Sequence, residues 1–243
     1  MKSKSSASKY ILVGLLVIAQ ALLSGCAAQQ NKAETPNKGQ EATEEKREGP
    51  EASEAKQMLV DGNARFVSGN VPAKDISEAR RTELAEKGQK PFAIVLTCSD
   101  SRVPPELIFD QGLGNIFVIR TAGNVVDPVA IGSIEYGAEH LKAPLIVVMG
   151  HESCGAVKAT ILGGTAPGSI GAIIAKIKPS VDKVKAAGAT GIDLPVAAEN
   201  ENVKEVIAEL DKSPVVKELA EKGELTVVGA KYHLGSGEVE WLK

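Results

Sequence analysis

The sequence predicts an α/β domain: a mainly parallel β-sheet flanked by helices, with an N-terminal helical arm and a C-terminal edge strand. Three observations carry this. Residues 92–96 (Phe-Ala-Ile-Val-Leu) and 145–149 (Leu-Ile-Val-Val-Met) are unbroken apolar runs, the pattern of strands buried on both faces of a parallel sheet. Between and after them lie segments with apolar residues at helical spacing, and strands alternating with helices make an α/β sheet. Each run is followed at once by a string rich in ligating and ionisable residues, Cys98-Ser99-Asp100-Ser101-Arg102 and His151-Glu152-Ser153-Cys154. Sites in open parallel sheets form beyond the carboxyl ends of the strands, where both strings fall.

The elements follow in order. Residues 54–67 and 77–87 read as helices, the second with Ser77 as N-cap, Glu78 in its first turn and Gly88 as its stop. A strand at 92–97 leads to a short helix near 105–109 and a strand at 116–119. Residues 128–141 form a helix that buries Ile131, Ile134, Ala138 and Leu141. The strand at 145–149 precedes the second string, and a helix begins at or near Cys154. Residues 170–187 read as a further helix, and Val203, Val206, Ile207 and Leu210 form an i, i+3, i+4, i+7 stripe. Ser213-Pro214 caps a short helix that ends at Gly223. Strands at 225–230 and 238–242 close the chain. The last follows the Gly235-Ser236-Gly237 turn and suits antiparallel pairing at an edge.

The N-terminus reads as an address. Lys2, Lys4 and Lys9 form a basic region, residues 11–19 an apolar core too short to span a bilayer, and Leu23-Ser24-Gly25-Cys26 follows. That ending resembles a bacterial lipobox, which implies a signal peptide at 1–25, lipidation of Cys26, and export to a lipid-anchored position on a membrane. An ordinary signal peptide or an uncleaved anchor is the alternative. Residues 26–50 hold no large apolar side chain and read as a disordered tether. Residues 51–243, about 190, suffice for one domain with a proper core. Loss of the signal removes three of 28 basic residues and none of 31 acids, so the mature net charge is −6. No basic stripe is left to neutralise phosphates, which argues against a nucleic-acid partner.

Cys98, His151 and Cys154 are candidate ligands of one Zn2+. Zinc favours thiolate and imidazole, and a catalytic site takes three protein ligands with one position open. The two-residue gap between His151 and Cys154 lets one turn present both, while Cys98 closes the site from another element. A Cys98–Cys154 disulfide and a structural histidine are the competing readings. With three cysteines in the chain, Cys26 assigned to lipid and two to metal, none is left for a structural disulfide. Metal would protect both thiols in the oxidising compartment that export implies. Asp100 and Arg102 suit an acid–base dyad, or simply a structural ion pair.

From 54 to its end the chain resembles the β-class carbonic anhydrases. The resemblance rests on Cys98-Ser99-Asp100-Ser101-Arg102-Val103, Phe109-Asp110-Gln111-Gly112, Ala122-Gly123-Asn124, Ser133-Ile134-Glu135-Tyr136 and Gly150-His151-Glu152-Ser153-Cys154-Gly155. It implies one zinc per chain on Cys98, His151 and Cys154, with Asp100 and Arg102 as a catalytic dyad. The reaction implied is CO2 + H2O ⇌ HCO3⁻ + H⁺. The plant-like subgroup is indicated by Gln89 within Gly88-Gln89-Lys90-Pro91, and by Val95 where the bicarbonate-inhibited subgroup has tryptophan. Gln89, Phe117, Tyr136 and Gly155 are then the substrate-binding residues. Thr121 departs from the pattern, standing where Arg-Asn-Ala-Gly-Asn is usual. The resemblance also implies a homodimer or a multiple of dimers, N-terminal helices such as 54–67 wrapping a neighbour, and part of the pocket at that interface. Two other functions stand beside this one: hydrolysis of CS2 or carbonyl sulfide on the same fold, and a non-catalytic zinc protein. His140 and His233 join no constellation.

Overall fold

The computed structural model describes residues 49–243. The signal at 1–25, Cys26 and all but the last two residues of the tether at 26–50 lie outside the described residues. In chain order the elements are α1 (Ala52–Ser68), α2 (Glu78–Lys87), β1 (Ala93–Cys98), α3 (Pro105–Ile108), β2 (Ile116–Thr121), a 3₁₀ turn (Ala122–Asn124), α4 (Pro128–Glu139), β3 (Leu145–His151), α5 (Gly155–Leu162), α6 (Ile170–Ala186), α7 (Asp193–Leu210), α8 (Pro214–Glu221), β4 (Thr226–Tyr232) and β5 (Val239–Trp241). The sheet runs β2-β1-β3-β4-β5; the first four strands are parallel, and β5 pairs antiparallel with β4 at the edge.

Every residue of β1 and β3 is buried, as their apolar runs require. Side chains alternate across the sheet. Ile94, Leu96, Ile146 and Val148 face one layer, where Ile134 and Ala138 of α4, Val203, Val206 and Leu210 of α7, and Val216 and Leu219 of α8 meet them. Ala93, Val95, Leu145, Val147 and Met149 face the other, against Leu59 of α1 and Ile108 and Phe109 around α3. A third cluster joins Cys98 and Cys154 to Val157, Ile177, Val181 and Ala198, so α5, α6 and α7 wall off the two thiols.

Side-chain caps mark the starts of α2, α4 and α8. The Ser77 side chain accepts from Arg80 N and the Ser213 side chain from Val216 N, satisfying otherwise orphaned helix donors. Helix α4 stops at Glu139, before the expected 141. The Leu141 and Ala143 amides bond back to the Tyr136 and Gly137 carbonyls, and Lys142 takes a left-handed φ of 57°. Leu141 therefore lies past the helix, half-buried, and is not part of its stripe. Strand β3 continues beyond its apolar run because Gly150 and His151 pair with Lys231 and Tyr232.

Of the N-terminal helices, α1 is docked on its own sheet. Ala55 and Leu59 are fully buried, and Asn63 Nδ2 donates to the carbonyls of Ile108 and Gly237 while its Oδ1 accepts from Val239 N. Gly62 meets the Phe109 carbonyl so closely that a Cβ would lie 1.8 Å from its oxygen. Helix α2 buries no residue. Among the described residues no helix is long and apolar enough to cross a membrane.

Candidate metal centre

Cys98 ends β1 and His151 ends β3, and these strands are parallel neighbours, so both side chains reach the same end of the sheet. Ser153, at φ 55°, turns the chain back so that Cys154 becomes the N-cap of α5. One ligand atom from each of Cys98, His151 and Cys154 lies within 4.8 Å of the others, and all three residues are buried. Neither cysteine is disulfide-bonded. The His151 Nδ1–H donates to the Glu152 carbonyl at 2.9 Å, which leaves the Nε2 lone pair for a ligand. That Nε2 is buried with no hydrogen-bond partner. An orphaned acceptor facing two sulfurs is a costly arrangement for a polar group and a suitable one for a thiophilic cation. The three residues fit zinc.

Charge is prepared for such an ion. The neighbouring Cys154 thiol pulls the Cys98 thiol down to about 4, burial opposes this, and His151 and the Gly123 N–H, 3.2 Å from Sγ, assist. Cys154 is pushed up, first by the Cys98 thiolate and then by burial, against the amides of Val157 and Ala156 in the first turn of α5. Those amides lie where a helix start favours an anion. Ligation of a divalent cation would require both thiols to give up their protons. Burial disfavours the His151 imidazolium, but the Cys98 thiolate outweighs it and the pKa lies above its ordinary value.

Asp100 stands beside this cluster, its Oδ2 3.9 Å from His151 Nε2. Arg102 grips it in a fork, Nε to Oδ1 at 2.9 Å and Nη2 to Oδ2 at 2.7 Å, and Arg102 N adds a bond at 2.9 Å. The guanidinium holds the carboxyl well below the usual carboxylate range, so Asp100 is ionised. Arg120, which sequence reasoning passed over, pins the loop by donating to the carbonyls of Cys98 at 3.0 Å and Asp100 at 2.6 Å. The Thr121 hydroxyl bonds Val125 O at 2.6 Å and closes the 3₁₀ turn that presents the Gly123 N–H to Cys98.

The other expected pocket residues are not all brought here. Gly155 is the first residue of α5, next to Cys154. Phe117 pairs in register with Ile94, four residues before Cys98 and so roughly 13 Å up the strand. It sits 6.2 Å, ring centre to ring centre, from Tyr136, which is 48 % exposed and also meets the His140 ring at a tilt. Gln89 is exposed and precedes the opposite end of β1. Within one chain, these three belong to the far end of the sheet.

Sequence reasoning also missed Glu199, Asn202 and Lys231, all buried. Glu199 Oε1 accepts from Cys154 N at 3.2 Å, Glu199 Oε2 pairs with Lys231 Nζ at 2.8 Å, and Asn202 Nδ2 donates to Gly123 O at 2.9 Å. Their signal was present: Glu199 and Asn202 extend the Val203, Val206, Leu210 stripe backwards in four-residue steps. His233 lies between Glu152 at 3.4 Å and Glu240 at 3.2 Å, tying the ligand loop to β5.

A family profile described as carbonic anhydrase matches residues 93–239. The chain is 43 % identical over 187 residues to a carbonic anhydrase of Mycolicibacterium smegmatis, covering 75 % of this chain and 89 % of the relative. It is 43 % identical over 184 residues to carbonic anhydrase 2 of Mycobacterium tuberculosis, covering 74 % and 87 %. Among solved structures it superposes on the Coccomyxa β-carbonic anhydrase with a TM-score of 0.61 at 30 % identity, covering 76 % of this chain and 84 % of that one.

Proposed function

The chain belongs to the carbonic anhydrases, of the β class, and we propose that it hydrates carbon dioxide reversibly at one zinc ion held by Cys98, His151 and Cys154. The observation that carries the zinc reading is the convergence of two unbridged thiols on a buried imidazole Nε2 with no other partner. Zinc in this place would supply a Lewis acid that makes a water nucleophilic, a weaker acid with two thiolates than with three imidazoles.

The protein's own groups do the rest. Asp100 accepts a hydrogen bond from the attacking water and orients it, and Arg102 keeps that carboxylate ionised and turned from the metal. The Asp100–Arg102 fork supports the plant-like subgroup, in which the carboxylate leaves the fourth zinc position open. It also speaks against a merely metal-storing protein, which needs no oriented acceptor. The Gly155 amide, in the first turn of α5, suits an anionic oxygen of bicarbonate. Phe117 and Tyr136 would give CO2 an apolar seat, and Gln89 an amide donor, from the neighbouring subunit of a dimer. The half-exposed Tyr136 and the unburied α2 support that shared pocket.

Residues 1–25 are read as a lipoprotein signal and Cys26 as the lipidated N-terminus of an exported, membrane-tethered enzyme. Labelled-lipid incorporation that disappears in Cys26→Ser tests this, and a wild-type N-terminus elsewhere without lipid refutes it. Stopped-flow CO2 hydration by the zinc-loaded protein tests the function. The rate is expected to rise with pH through the mildly alkaline range, and an inactive zinc-loaded enzyme overturns the reading.

A further inference from the structure

We infer that Glu199 and Asn202 are positioning residues that set the two cysteine ligands from one face of α7, with Lys231 holding Glu199 in place; this rests on the zinc reading above. Glu199 and Lys231 are only 4 % and 3 % exposed, and their ion pair is 2.8 Å long. A buried pair of this kind stabilises a fold little better than apolar residues of the same volume, so its burial calls for another role.

The second carboxylate oxygen supplies one. Glu199 Oε1 accepts the Cys154 N–H at 3.2 Å. That amide directly follows Ser153, a non-glycine residue at φ 55°, and such a backbone persists only where its surroundings hold it. Glu199 therefore secures the turn that brings Cys154 Sγ back toward His151. Three residues on and on the same helix face, Asn202 Nδ2 donates to the Gly123 carbonyl at 2.9 Å. The Gly123 N–H in turn donates to Cys98 Sγ at 3.2 Å. Gly123 is itself at φ 69°, and a Cβ there would come within 2.7 Å of Ile177. Lys231 stands opposite Gly150 in the β3–β4 ladder, one residue before His151. One helix face reaches both sulfur ligands, and the strand beside the third ligand carries the countercharge.

The test separates metal binding from folding, because a purely structural role moves only the second. Zn2+ affinity is read by competition with a chelator, and stability by thermal unfolding of the metal-free protein. Glu199→Gln keeps an oxygen for the Cys154 amide but loses the charge that Lys231 holds in place; it is expected to lose stability and to bind Zn2+ more weakly than wild type but more tightly than the double variant below, and wild-type affinity here removes Lys231 from the proposal. Glu199→Leu combined with Lys231→Met removes both charges at similar volume and is expected to fold. It should bind Zn2+ roughly 10–100-fold more weakly, the usual effect of losing a group that orients a ligand. Asn202→Ala, which alters no charge, should weaken binding in the same direction and serves if the double variant does not fold. Wild-type affinity in the double variant, or in Asn202→Ala, overturns the inference and leaves the proposed function standing. A wild-type protein that takes up no Zn2+ overturns both.

Discussion

Removing the Arg102 side chain should close the site without emptying it. In Arg102→Ala, Asp100 loses the 2.9 Å and 2.7 Å bonds to the guanidinium and keeps only its 2.9 Å bond from the backbone amide of residue 102. The freed Oδ2 starts 3.9 Å from His151 Nε2, so a side-chain rotation brings it within reach of a metal on that nitrogen. A carboxylate there would occupy the fourth zinc position. Losing a group that orients the metal's surroundings costs about 10–100-fold in activity. The guanidinium is 55 % exposed, which weakens the pair and puts the expected loss toward the lower end, about tenfold. Arg102→Lys should fall between, because one ammonium cannot reproduce the two-pronged geometry. Stopped-flow hydration, with zinc content measured on the same samples, checks this. Full zinc content with unchanged activity in Arg102→Ala would refute the argument that Arg102 keeps Asp100 off the metal, and loss of zinc would show that the pair serves ligand binding instead.

If the pocket is shared, mixing Gln89→Ala with His151→Ala subunits should restore activity that neither possesses, since one hybrid site pairs an intact metal cluster with an intact Gln89; reconstitution without recovery excludes a pocket shared in this way. Asp110 has a fully buried side chain whose burial opposes ionisation, but Lys74 and then Arg65 outweigh that and hold its pKa below the ordinary value. A depressed carboxylate stabilises the fold above its unfolded pKa, near 4, and the contribution fades as pH falls below that. Asp110→Asn, which tolerates the local φ of 52°, should therefore cost about 2 kcal/mol at neutral pH, with the difference from wild type shrinking below about pH 4 in denaturant titrations. An undiminished difference at pH 3 would sink that account. Gly62→Ala should destabilise by about 1–3 kcal/mol in the same assay, because its Cβ meets backbone, the Phe109 carbonyl, rather than a movable side chain; an unchanged unfolding midpoint would mean that α1 is not seated as described.

The strands, and with them the grouping of Cys98 with His151 and Cys154, were legible because their signals are local. The apolar runs that form β1 and β3 end within two residues of Cys98 and His151, so the parallel sheet and the position of the ligands at its carboxyl edge came from one reading. The helix limits that slipped depended on backbone closure, as at Lys142, which residue type barely records. The supports of the site were hidden for a different reason. Arg120, Glu199 and Asn202 act on the backbone groups of Cys98, Cys154 and Gly123, and every residue but proline carries such groups, so no side-chain pattern marks the recipient. Only the side-chain partner leaves a trace, a polar residue placed where an apolar stripe continues. Glu199 and Asn202 occupy such places on the buried face of α7, and Lys231 does so within β4. Spatial grouping beyond one element is harder still, because it depends on register. The resemblance places Phe117 in one pocket with Cys98, yet the β1–β2 pairing sets it beside Ile94, at the far end of the strand. A role for Phe117 beside the Cys98 cluster would therefore have to be supplied by a second copy of the chain, which is the arrangement that the resemblance to the β-class enzymes implies and the strand ladder makes necessary for it.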